Sequence, residues 1–237
     1  MPYKRGYKKR RGRRNYRRGG KGGRRYAVKK YNNVGTLIAD TTKIHMKYAD
    51  DIQVSVNGSI GANYLFRCNS IFDPDQTSVL GGHQPMGHDQ YANFYKRYTV
   101  VGSKITVRFT GATVSGSTVD PNAITNVGIC TIDDTGSNIT TPSEFMENNR
   151  TSYGQIQPQR PTHTITKYFS AKEFFGIKNP VDDDTLSAGF GQNPQNGALW
   201  QIKFWPDLAG QSDRRVTMNV MIQYICILRE RQPIGGS

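Results

Sequence analysis

The 237 residues carry thirty-two Lys and Arg against eighteen Asp and Glu, and fifteen of the cations lie between positions 2 and 31, where there is no carboxylate at all. Subtracting those fifteen leaves seventeen basic against eighteen acidic residues from Asn32 onward, so an arm of +15 is joined to a body of −1. No run of about eighteen apolar residues occurs and the N-terminus lacks the apolar segment of a secretory signal, so no membrane insertion and synthesis in a reducing compartment are expected.

The arm, residues 1–31, carries its charge on Lys4, Arg5, Lys8, Lys9, Arg10, Arg11, Arg13, Arg14, Arg17, Arg18, Lys21, Arg24, Arg25, Lys29 and Lys30. Between Tyr3 and Tyr26 only Tyr offers a sizeable side chain to bury. Like charges repel and Gly raises the entropic cost of ordering, so the arm is expected to be disordered in isolation. Arg outnumbers Lys, and its planar fork binds phosphate bidentately and stacks on bases. Tyr3, Tyr7, Tyr16, Tyr26 and Tyr31 add stacking faces. The pattern points to a nucleic-acid-binding arm that grips backbone phosphate, sensitive to salt and indifferent to sequence. Gly6, Gly12, Gly19, Gly20, Gly22 and Gly23 interrupt any amphipathic helix, which disfavours a membrane-surface role. Residues 8–14 and 21–25 also read as a nuclear localisation signal.

The remainder, residues 32–237, is long enough for one substantial core. Ile44, Met46 and Tyr48 alternate with polar neighbours as in a half-buried strand; Asp50 and Asp51 mark a bend; Ile52, Val54 and Val56 resume the pattern up to the turn signal Asn57-Gly58. A third strand is expected at residues 63–68. Residues 72–91 read as a loop rich in Gly, Pro and Asp. Residues 97–110 read as a strand with Ile105, Val107 and Phe109 on one face, and residues 124–132 as another, followed by a loop. Ser143 is placed as the cap of a short helix over residues 143–148. A strand follows at residues 162–170, with 171–175 continuing it or turning away, then a loop at 176–196 and a strand at 197–205. Last, Val216, Met218, Val220, Ile222, Tyr224, Cys226 and Leu228 fall on one face of a long strand. Met221, Ile225 and Ile227 break the polarity of its other face and suggest partial cover. Eight strands with hardly any helix predict an all-β Greek-key sandwich such as an eight-stranded jelly roll.

Little chemistry is available to such a chain. Cys68, Cys130 and Cys226 are odd in number and far apart, and are expected to be small buried residues. His45 and His163 sit at strand positions. His83 and His88, five apart with Asp89 beside them, lack a further ligand set. Asp182, Asp183 and Asp184 lack the ligand spacing of a calcium loop. Gly19-Gly20-Lys21-Gly22-Gly23 has neither a strand before it nor a helix after. The chain is read as a non-enzyme, with no catalytic residue, metal or cofactor assigned.

Residues 81–109, GGHQPMGHDQYANFYKRYTVVGSKITVRF, carry Gly82, Gln84-Pro85, Gly87, Asp89-Gln90-Tyr91, the pair Phe94-Tyr95, Tyr98, Val100 and Gly102-Ser103-Lys104-Ile105. This block resembles one in capsid proteins of circovirus-like viruses, which have small circular single-stranded DNA genomes and encode a replication initiator. His88 departs from the group, where an aromatic is frequent. The resemblance implies a jelly roll and about sixty copies in a small icosahedral (T=1) shell. It also implies an arm that points inward to the single-stranded DNA genome, and passage through the host nucleus by way of import factors, with a host receptor left unnamed. Residues 72–91, 133–157 and 176–196 are then the candidate contact loops, with Tyr91, Phe94, Tyr95 and Tyr153 as subunit-contact anchors. The alternative is a cellular nucleic-acid-binding protein, ribosomal-protein-like, whose basic extension threads into RNA. It calls for a monomer whose body also has a basic face, and the body's near-zero net charge argues against it. A metal-dependent nuclease using His83, His88 and the acidic loops is disfavoured.

Overall fold

A computed structural model describes residues 38–56, 62–78, 82–112, 124–134, 139–207 and 214–233. The arm cations assigned to nucleic acid, Lys4 to Lys30, lie outside the described residues.

Nine strands among the described residues form two antiparallel sheets. The first runs β1 (Thr42–Val56), β9 (Arg214–Arg231), β3 (Tyr95–Ala112), β6 (Thr162–Ser170), with the short β7 (Ser187–Gly189) pairing the start of β3. The second runs β2 (Ala62–Arg67), β8 (Ala198–Pro206), β4 (Thr125–Asp133), β5 (Thr151–Ile156). Leaving β7 aside and counting the eight long strands in chain order, the sheets read 1-8-3-6 and 2-7-4-5. Each consecutive pair of long strands except β4 and β5 crosses between sheets, and this interlocked order is the jelly roll.

The alternation that predicted β9 is what builds the core. From Val216 to Leu228 its alternate side chains are all at most 2 % exposed, against Ile105, Val107 and Phe109 of β3 and Trp200, Ile202 and Phe204 of β8. Phe109 meets Phe204 edge to face at 5.6 Å. The buried hydroxyl of Tyr224 donates to the Arg67 carbonyl at 2.9 Å, so the ring enters the core with its polar end satisfied. Cys68, Cys130 and Cys226 are free and buried, and burial pushes the Cys68 and Cys226 thiols up.

The two sheets differ on their outer faces. β4 and β8 are buried on both sides, because residues 139–150, with helix α2 (Pro142–Glu147), lie across the second sheet. Phe145 rests on Gly128, which has no side chain to obstruct it, and meets Trp205 edge to face at 5.8 Å. Gln201 holds the strap from below, its amide donating to the Ile139 carbonyl and its oxygen accepting from the Ile139 N–H. Lys203 donates to the Thr140 carbonyl at 2.6 Å. Along β1 of the first sheet, by contrast, every outward residue from Lys43 to Ser55 is exposed.

Several local expectations are corrected. β1 runs unbroken past Asp50 and Asp51, in continuous register with β9 from Thr42 opposite Leu228 to Val56 opposite Arg214. The two carboxylates do not turn the chain because each finds a partner along the strand: Asp50 accepts from the Tyr48 hydroxyl and Asp51 from the Asn219 amide. β5 lies where a loop was expected. The cap of α2 is Thr141, whose hydroxyl accepts from the Glu144 N–H with Pro142 in the first turn, rather than Ser143. Of the two courses left open for residues 171–175, the chain takes the second and turns away from β6 as helix α3 (Ala171–Phe175), capped by Ser170. The loop expected at 72–91 ends in helix α1 (His88–Ala92), which runs one residue beyond it and is preceded by Gly87 at φ 89°, a left-handed conformation that glycine adopts without strain.

Candidate nucleic-acid interface

Strand register brings together residues far apart in sequence on the open face of the first sheet. Lys47 lies opposite Gln223, Gln223 opposite Lys104, and Lys104 opposite Tyr168. At a strand spacing of about 4.8 Å, Lys47 and Lys104 stand about 10 Å apart with Tyr168 about 5 Å beyond. A parallel row holds Asp51, Asn219, Arg108 and Thr164. Lys43 lies outward on β1 and Arg215 outward on β9. Against these five Lys and Arg the same stretch carries one carboxylate, Asp51, which is already bonded to Asn219; toward the start of β3, where Thr99 is buried, Arg97 is paired with Asp184 and Glu230, so the face is basic away from that end although the body as a whole is near neutral. Tyr168 is 73 % exposed, with Lys104 Nζ 5.5 Å from its ring centroid. Cations spaced across a sheet with an exposed ring among them make a surface for phosphate and for a stacked base.

The chain enters this sheet at a fixed point. Ile38 packs against the core. The Ala39 carbonyl accepts from the Tyr95 hydroxyl at 2.9 Å, the Ile38 carbonyl accepts from Arg231 at 3.3 Å, and the Arg231 guanidinium also reaches Asp40. Three residues before β1 are therefore tied to β3 and β9.

The four contact candidates separate. Phe94 is 45 % and Tyr153 58 % exposed, Tyr91 is half-buried against the core, and Tyr95 is buried. Tyr95 belongs to the interior because its ring packs in the core and its hydroxyl is committed to Ala39.

The histidines do not converge. His88 is buried, its Nδ1 3.0 Å from Asp89 and its ring against Phe190, while the exposed His83 stacks on Tyr48 at 4.6 Å. The acidic triplet is likewise divided. Asp182 accepts from the Asn179 amide. Asp183 accepts from the Thr185 hydroxyl and N–H, which hold its carboxyl below the usual range. Asp184 pairs with Arg97 at 3.1 Å. Among the described residues no three His, Cys, Asp or Glu side chains group as metal ligands.

Fold and face together define a jelly-roll sandwich with one strapped sheet and one open, basic sheet. No protein-family profile matches the chain, and no curated protein matches it in sequence. Among solved structures it is similar to that of Mud crab tombus-like virus, at a TM-score of 0.47 and 10 % identity over 86 % of this chain and 96 % of that one. It is similar also to Cocksfoot mottle virus, at 0.45 and 8 % over 81 % and 95 %, and to the decameric BFDV capsid protein, at 0.42 and 10 % over 80 % and 99 %. At such identities the likeness is one of fold, and the jelly-roll assignment rests on the strand order.

Proposed function

We propose that this chain is a viral coat protein that assembles with copies of itself into a small closed shell and packages single-stranded DNA within it. The observation that carries the reading is the separation of charge: an arm of +15 leads into a jelly roll at residues tied beside a basic, uncovered sheet. Near-zero net charge over the rest lets bodies pack side by side, and the exposed rings of Phe94 and Tyr153 are anchors for those contacts. Single-stranded DNA, the sixty-copy shell and passage through the nucleus rest on the circovirus-like block at residues 81–109, with residues 8–14 and 21–25 as the import signal. Sixty arms neutralise on the order of 900 phosphates. Fully extended, thirty residues span about 100 Å, enough for many arms to reach one strand.

The basic sheet face also suits a cellular nucleic-acid-binding protein, the alternative reading, and assembly separates the two. The test is to purify the full chain, treat it with nuclease and sediment it, alongside a chain lacking residues 2–25. The proposal expects fast-sedimenting particles that hold nuclease-resistant nucleic acid, and its loss on deletion. A wild-type monomer at high concentration sinks the coat reading and favours the cellular one. A truncated chain that retains nucleic acid with the same salt dependence sinks the role given to the arm.

A further inference from the structure

At the free edge of the first sheet, β6 runs beside the turn that leads into β5, and an open cleft of about 210 Å³ lies there, lined by Arg150, Lys167, Ser170 and Glu173 with Tyr168 and Phe174. At ~30 Å³ per water this is room for roughly seven waters, enough for a phosphate group with part of its hydration.

The cleft is cationic and its cations are held in place. The Arg150 guanidinium lies 4.6 Å from the centroid of the Phe174 ring, an arrangement that supports its face and leaves the N–H fork at its edges free. Lys167 Nζ donates to the Arg150 carbonyl, which uses one of its three donors and ties the ammonium to the turn that bears Arg150. Among the described residues neither forms an ion pair, although Glu173 also lines the cleft. Burial lowers the Lys167 pKa, so an incoming anion offsets a charge the protein itself leaves uncompensated. The Ser170 hydroxyl oxygen accepts from the Glu173 N–H, which leaves its proton to donate.

One residue along the strand, Tyr168 presents its exposed ring to the open face beside Lys104. A duplex keeps its bases stacked on each other and has no use for such a ring; a single strand offers a phosphate to the cations and a bare base to the tyrosine. We infer that the cleft is a phosphate subsite for single-stranded nucleic acid, with Tyr168 as the stacking platform for the adjoining base. This rests on the packaging reading above. A sulfated polysaccharide would bring a similar anion but no base, and the ring tells the two apart.

The test uses the full chain with a fluorescein-labelled twelve-nucleotide oligothymidylate carrying one 4-thiothymidine, titrated across a salt series and photo-crosslinked, with the attached peptides mapped by mass spectrometry. The expected result is a crosslink on the peptide holding Tyr168. It should fall about tenfold in R150Q/K167Q and also in the single variant R150Q, which alters only an exposed side chain. The salt slope should drop by about 0.7 for the phosphate lost. Tyr168→Leu should weaken binding about fivefold, and K172Q, on helix α3 beside Glu173 and Phe174 but outside the cleft lining, should match wild type. Crosslinks confined to residues 2–31 with unchanged slopes overturn this inference and leave packaging intact, whereas no binding by the wild type overturns both. If a heparin fragment loses affinity in R150Q/K167Q while Tyr168→Leu binds the oligonucleotide as wild type does, the cleft belongs to a glycan and the nucleic-acid assignment is overturned.

Discussion

The Tyr95 hydroxyl donates to the Ala39 carbonyl at 2.9 Å, which fastens the first described residues of the body to the start of β3. Arg231 of β9 adds a second tie at Ile38. Residues 38 and 39 are thereby held at the start of β3 and the end of β9.

Removing only the hydroxyl leaves the Ala39 carbonyl short of a partner, so Tyr95→Phe should cost about 1 kcal/mol in urea unfolding. Tyr95→Ala should cost about 3–5 kcal/mol because the ring also fills the core. The salt dependence of nucleic-acid binding should not change in Tyr95→Phe.

A Cβ placed on Gly128 would stand 2.5 Å from Phe145 Cε1, with Tyr153 Cβ and the Ser152 carbonyl also near. Gly128→Ala should destabilise by about 1–3 kcal/mol through overpacking. Combined with Phe145→Leu it should show a coupling of at least about 0.5 kcal/mol in a double-mutant cycle. Strict additivity would mean that the strap does not seat on Gly128.

Lys203 is 1 % exposed, and burial lowers its pKa below the usual 10.5. Between the lowered value and 10.5 the folded chain binds fewer protons than the unfolded chain, so this lysine's contribution to stability rises with pH through that interval. Lys203→Met abolishes the rise, and it also leaves the Thr140 carbonyl and the Asn63 side-chain oxygen without their donor at every pH. The wild-type minus variant difference, measured by chemical denaturation, should climb toward pH 10.5; a flat difference would show that Lys203 titrates as if exposed.

The open face is testable without disturbing the core. Lys47→Glu with Lys104→Glu should change stability by no more than about 0.5 kcal/mol. If each lysine meets a phosphate, the salt slope for single-stranded DNA should fall by about 1.4. An unchanged slope would remove this face from the interface.

Strands buried on one face were legible in the sequence. β9 has neighbours on both sides and a single buried face, so its alternation survives intact. β1 was divided because paired aspartates resemble a turn; what keeps them in a strand is Tyr48 and Asn219, the latter distant in sequence. β5 was missed because it is a short edge strand interrupted by Gly154, a residue required there because the His163 ring fills the space a side chain would occupy. Among the long strands, one too many and one too few left the expected number at eight, while the three-residue β7 lies in what was expected as the loop at 176–196. The basic face was hidden for a related reason: Lys47, Lys104 and Tyr168 meet only through register. The near-zero net charge, taken from sequence as an argument against a basic face, averages that face with Asp73, Asp75, Asp134 and Asp182 to Asp184 in the loops. It therefore does not separate a coat protein from a cellular nucleic-acid-binding protein.

Assembly separates them most directly. Electron microscopy of the purified full-length chain, across protein concentration and salt, should show uniform closed shells whose interior density is nucleic acid. A chain that stays monomeric under every condition in which it remains folded would contradict the coat-protein account.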